Sequence, residues 1–114
     1  MRNFGVEIEF LSKKTRRGLC REINNRLGLD IVEASYYDKS NKWRLKTDSS
    51  IYSYSNTYSY GMELVTPILK NEQDLEMLCK VIDICEEYGQ VNRTCGVHVH
   101  TDITECGPKP MRKL

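Results

Sequence analysis

Along residues 3–11, Asn-Phe-Gly-Val-Glu-Ile-Glu-Phe-Leu, apolar and polar residues alternate: Phe4, Val6, Ile8 and Phe10 fall on one side, Gly5, Glu7 and Glu9 on the other. A period of two is that of a strand with one buried face, so both carboxylates point away from the core. The same device recurs twice. Gly61 to Pro67 reads as a short strand that sets Glu63 between Met62 and Leu64 and stops at Pro67, which cannot donate to a ladder. Gly96 to Thr101 reads as a last strand with Val97 and Val99 on one face and His98 and His100 on the other. If the three strands share one sheet, Glu7, Glu9, Glu63, His98 and His100 gather on one surface, where carboxylates repel unless a cation joins them.

Between these strands lie two helical patterns. Ser12 or Thr15 can cap a helix carrying Leu19, Cys20, Ile23 and Leu27 at helical spacing, with Gly28 to end it. Asn71 caps a second, whose apolar stripe is read as Leu75, Leu78, Cys79, Ile82 and Cys85, ending at Gly89. Asp30 to Tyr37 and Lys42 to Thr47, parted by the turn-prone Asp38-Lys39-Ser40-Asn41, read as paired strands. Residues 51–60, Ile-Tyr-Ser-Tyr-Ser-Asn-Thr-Tyr-Ser-Tyr, are nearly palindromic about Asn56. They read either as a hairpin pairing Tyr54 with Tyr58 and Tyr52 with Tyr60, or as a polar loop. As a hairpin, Tyr52, Tyr54, Tyr58 and Tyr60 would line one side of an exposed ribbon and form a surface for a protein partner. The expected class is α+β: an antiparallel sheet of about five to six strands packed on two helices, one domain over 1–106, and a flexible tail over 107–114 rich in Gly, Pro and basic residues.

With 114 residues there is room for one core. A composition of 39% hydrophobic and 29% charged residues is that of a folded globular chain, not of a disordered one. Seventeen basic against sixteen acidic residues leave a net charge of +1, with no field to hold a nucleic acid. No apolar run is long enough to span a membrane, and Arg2, Glu7 and Glu9 stand where a signal peptide would be apolar, so a cytoplasmic location is expected. Five cysteines, Cys20, Cys79, Cys85, Cys95 and Cys106, form no paired framework, and reduced thiols are expected.

Glutamate with histidine suits magnesium or manganese in an enzyme, or zinc in a structural role. The expectation is one divalent ion, zinc in first place, on His98 and His100 with one or more of Glu7, Glu9 and Glu63. Cys95, three residues before His98, could add a thiolate but reads better as a small buried hydrophobe. Asp48, in Thr47-Asp48-Ser49-Ser50-Ile51, could join this face or simply open an Asx turn. Asn92 and Arg93 could meet an anion. No phosphate-cradling glycine loop, nucleophile elbow or hydrolytic triad is present.

Taken in order, Phe4-Gly5-Val6-Glu7-Ile8-Glu9-Phe10, Trp43 with Asp48-Ser49-Ser50-Ile51, Gly61-Met62-Glu63-Leu64-Val65-Thr66-Pro67-Ile68-Leu69, and Val91-Asn92 with Cys95-Gly96-Val97-His98-Val99-His100 resemble the amidoligase family. That family is placed with the glutamine synthetase and glutamate–cysteine ligase superfamily. The resemblance spans residues 4–102. It implies a half-barrel sheet whose concave face binds divalent metals and ATP, where a carboxylate is phosphorylated and then attacked by an amine. Glu7, Glu9 and Glu63 would hold the metals, magnesium in a catalytic form, His98 and His100 would touch metal or phosphate, and Asp48 would orient the acceptor.

Members of the family run on well past the Gly-x-His-x-His strand. The expectation is therefore a form lacking the C-terminal half, without catalytic residues of its own, which keeps a metal and acts by binding a protein. By analogy with small phage and mobile-element proteins, that partner would be a host defence nuclease such as a CRISPR nuclease, and the chain its inhibitor. The alternative is an ATP-dependent carboxylate–amine ligase completed by a partner chain.

Overall fold

The computed structural model describes residues 2–48, 50, 51, 53–101 and the backbone of 112 and 113. The elements run β1 (Phe4–Ser12), α1 (Arg16–Leu27), β2 (Val32–Ala34), β3 (Arg44–Thr47), β4 (Tyr60–Val65), α2 (Glu72–Tyr88), β5 (Gly89–Gln90), β6 (Val97–Thr101) and β7 (Arg112–Lys113). They form an α+β architecture in which one mixed sheet, ordered β2-β3-β4-β1-β6-β7 with β5 also on β1, packs against two helices.

Strand β1 is central because its period-two pattern has an apolar row for the helices and a full backbone ladder on each side. It pairs antiparallel with β4 and with β6. The helix-facing row supplies Phe10, Leu45, Met62 and Leu64, which meet Leu19, Cys20 and Ile23 of α1 and Val81, Ile84 and Cys85 of α2. Several of these are wholly buried, and each such side chain stabilises the fold by about 1.5–3 kcal/mol relative to exposure. A second cluster of Val6, Leu69 and Leu78 takes in Val97 and Val99 of β6, so that strand has its valines inward and its histidines on the far face.

Helix α1 begins at Thr15, whose hydroxyl accepts from Gly18 N at 3.0 Å, and ends at Gly28 in the left-handed region, φ 66°. Helix α2 begins at Asn71, whose side chain accepts from Asp74 N at 2.9 Å. Its buried stripe is Leu78, Val81, Ile84 and Cys85, while Leu75 and Cys79 are exposed. The expected stripe was thus rotated by part of a turn. Both phases satisfy helical spacing, and contact with β1 and β4 chooses between them. Gly89 does end α2, but in extended backbone that pairs with Ser12, and a Cβ there would lie 2.7 Å from Cys85 O and 3.0 Å from the Phe10 ring.

Two further readings are refined: the expected strand pair forms but is not antiparallel, and of hairpin and polar loop it is the loop that residues 53–59 adopt. Strands β2 and β3 pair parallel, Val32 beside Arg44 and Ala34 beside Lys46. Residues 35–43 loop back to the start of the sheet instead of making a tight turn, held by Arg44, which donates to Lys42 O and Asp38 O at 3.0 Å each. The tyrosine-rich segment makes no hairpin: residues 53–59 contain no strand. Ser55 Oγ accepts from Thr57 N and Tyr58 N, and Ser53 Oγ lies 2.8 Å from Tyr58 O. Serine hydroxyls have replaced the ladder bonds that a ribbon would need. Tyr52 and the stretch 102–111 lie outside the described residues, whereas the backbone of Arg112–Lys113 pairs with β6 at Val99 and His98. No helix among the described residues is long and apolar enough to cross a membrane.

Candidate metal centre

Register assembles the site. Across the β1–β4 ladder Glu9 stands opposite Glu63, and across β1–β6 Glu7 stands opposite His98. Directly paired residues point to the same face, so these four groups share the side away from the helices. Lys46 of β3 is in turn opposite Glu63.

Asp48 reaches the same face from the loop after β3. Its carboxylate closes an Asx turn, accepting from Ser50 N at 2.9 Å and from the Ser50 hydroxyl. Gly61 makes room for that turn, because a Cβ at this position would sit 3.3 Å from Asp48 O and 3.2 Å from Ile51 Cβ. Asp48 therefore both closes a turn and stands in the wall shared with the carboxylates.

The result is two overlapping groups of donors. Glu7, Glu63 and His98 form one and Glu9, Asp48 and Glu63 the other, with the ligand atoms of each within 4.8 Å of one another. They open into a cavity of about 490 Å³, within the roughly 300–1,000 Å³ of small-molecule sites. Tyr36, Lys46 and Ser50 complete its wall.

The electrostatics call for positive charge. Burial first, and then the carboxylates of Glu7, Asp48 and Glu9, push Glu63 up to about 7 from its ordinary 4.5, against a smaller opposing pull from Lys46. Burial also pushes Asp48 up, but hydrogen bonds from Glu9 and Ser50 outweigh it and hold Asp48 below the usual carboxylate range. Two acidic side chains in hydrogen-bond contact must share either a proton or a cation. His98 Nδ1 is buried and has no hydrogen-bond partner among the described residues, and such an orphan nitrogen suits a metal ligand. On these three observations the donor set fits divalent cations.

His100 stands apart from both groups, with Nε2 4.0 Å from Glu7 Oε1. Cys95 is not in either group, and its Sγ lies 3.8 Å from Asn92 Oδ1. Asn92 itself closes a turn, accepting from Thr94 N at 2.9 Å. Cys20 and Cys85 belong to the core, and burial is the largest influence raising their thiols, to about 11 and about 12. Tyr54 and Tyr60 are exposed, Tyr58 is half-buried, and none of the three lines the cavity.

Lys46 and Tyr36 were not picked out from the sequence. For Lys46 the signal was there, since Arg44-Leu45-Lys46 alternates around a buried leucine. Tyr36 fell within the strand expected over Asp30–Tyr37, but β2 ends at Ala34, and the loop that follows brings Tyr36 to the cavity.

Compared with known proteins, the sequence matches over residues 1–114 the family described as "Putative amidoligase enzyme". No curated protein and no solved structure matches it.

Proposed function

The chain belongs to the amidoligase family, and from that membership and the donor geometry we propose that the carboxylate face binds divalent cations and, with them, ATP for joining a carboxylate to an amine. The observation that carries this is Glu63, a single half-buried carboxylate shared by two donor groups. Glu7 and His98 with Glu63 would hold one cation, and Glu9 and Asp48 with Glu63 a second. The all-carboxylate group suits magnesium or manganese, and the group containing His98 also suits zinc. Bound there, the cations would neutralise charge on the phosphates during phosphoryl transfer.

The remaining work falls to the chain. Ser50 fixes Asp48, and the pleat of β1 fixes Glu7 and Glu9, so the donors are oriented before any ligand arrives. In the reaction a substrate carboxylate oxygen attacks the γ-phosphorus, ADP leaves, and the amine displaces phosphate from the acyl phosphate to leave an amide.

The test is manganese titration of the full chain, followed by ATP-dependent trapping of acyl phosphate with hydroxylamine over a panel of carboxylic acids. Manganese binding that is lost in Glu63→Gln supports the cation site. A chain that binds no divalent ion overturns it. Hydroxamate formation that is lost in Glu7→Gln supports the ligase. Cation binding without hydroxamate favours a second reading, a non-catalytic metal-binding domain acting through a protein partner. The exposure of Tyr54, at 64%, favours that second reading, which Tyr54→Ala would test through loss of partner capture at unchanged metal content.

A further inference from the structure

Lys46 is out of place in a pure cation site. It lines the same cavity as four carboxylates, directly across the ladder from Glu63, and among the described residues it is the one lysine or arginine in that wall. A fixed ammonium beside two cation positions repels the very ions the carboxylates attract. Its presence is reconciled when an anion lies between them, bridging metal and lysine as a phosphate does.

The structure also holds Lys46 in position. Its Nζ donates to Tyr36 O at 3.3 Å, which ties the ammonium to the loop that walls the cavity. Tyr36 lines the same cavity and is 66% exposed, and its ring is met edge-on by that of Tyr37, with centroids 5.2 Å apart and planes at 86°. A braced aromatic face at the mouth of a polar cavity is a platform for a flat ring.

Resting on the ATP reading above, the geometry points to a nucleotide subsite at this rim, with Lys46 on the phosphate chain and Tyr36 stacked on the base. The two residues divide the ligand: Lys46 recognises the polyphosphate and Tyr36 the nucleobase. Neither belongs to a donor group, so metal binding and nucleotide binding are separable by mutation.

The experiment titrates manganese alone, manganese-ATP and manganese-tripolyphosphate into the wild-type chain and into Lys46→Met, Lys46→Arg and Tyr36→Ala, with thermal melts to confirm folding. Lys46→Met is expected to weaken both ATP and tripolyphosphate by roughly tenfold or more while binding manganese at least as tightly as wild type. Lys46→Arg, which keeps the charge, is expected to recover most of that loss. Tyr36→Ala is expected to weaken ATP by roughly fivefold or more and to leave tripolyphosphate unchanged. If wild type binds manganese-ATP and the Met and Ala variants bind it equally well, the subsite is wrong and the ATP reading stands. If wild type binds manganese but no ATP, both the subsite and the ATP reading fall. If wild type binds no manganese, the cation site itself falls with them.

Discussion

Glu9 and Glu63 face each other as directly paired residues of adjacent antiparallel strands, a placement that is destabilising for two like charges unless something positive lies between them. Replacing Glu63 with Gln removes the repulsion together with the shared ligand. The metal-free variant is expected to melt above metal-free wild type at pH 8, and the order is expected to reverse in saturating manganese. Melting curves with and without a chelator check both halves.

The same carboxyl makes stability depend on pH. Its value in the fold, about 7, lies above its ordinary 4.5, so the folded state holds the proton more tightly than the unfolded chain does. That contribution is fully present below about 4.5 and is lost as pH rises through about 7. Metal-free wild type is therefore expected to lose melting temperature across this window, and Glu63→Gln to show a shallower fall. Equal slopes would assign the titration to another group.

The two histidines are expected to differ. His98 shares a donor group with Glu7 and Glu63, whereas His100 is in neither donor group and has its Nε2 4.0 Å from Glu7 Oε1. Manganese or zinc affinity should drop roughly tenfold or more in His98→Ala and less in His100→Ala, where the loss acts through the orientation of Glu7. Metal titrations of the two single variants decide it, and a larger loss in His100→Ala would relocate the site toward the edge of β6.

Gly89→Ala should destabilise the protein by about 1–3 kcal/mol, as overpacking does. Its Cβ would press on Cys85 O and the Phe10 ring, and Phe10 lies in the core beneath the metal face. Urea unfolding measures it, and a neutral result would mean that the end of α2 shifts freely away from β1.

The rotated stripe of α2 is checked by a pair of truncations. Ile84 is 2% exposed and Leu75 39%. Ile84→Ala should cost about 2–5 kcal/mol and Leu75→Ala about 0.5 kcal/mol or less. The reverse order would restore the stripe expected from spacing alone.

The sequence by itself determined the strands β1, β4 and β6, because the centre of each alternates apolar and polar residues with period two, which does not fit a helix. Alternation also assigned Glu7, Glu9, Glu63, His98 and His100 to the face away from Val6, Ile8, Phe10, Met62, Leu64, Val97 and Val99. The caps Gly28 and Asn71 were equally legible, since their chemistry is local, while the choice of Thr15 over Ser12 came from the structure. Only the tertiary structure decided what depends on distance along the chain. It placed β1 between β4 and β6, and so turned three separate patterns into Glu9 opposite Glu63 and Glu7 opposite His98. It brought Asp48 to that face through the space left by Gly61, turned β2 parallel to β3, chose Val81 and Ile84 over Leu75 and Cys79, and used serine hydroxyls where a tyrosine hairpin had been expected. The physical reason is the range of the forces involved. Periodicity and capping act over a few residues and are written in adjacent letters. Register, helix phase and loop placement are settled by which buried surfaces meet, and those surfaces come from segments as far apart as β1 and β6.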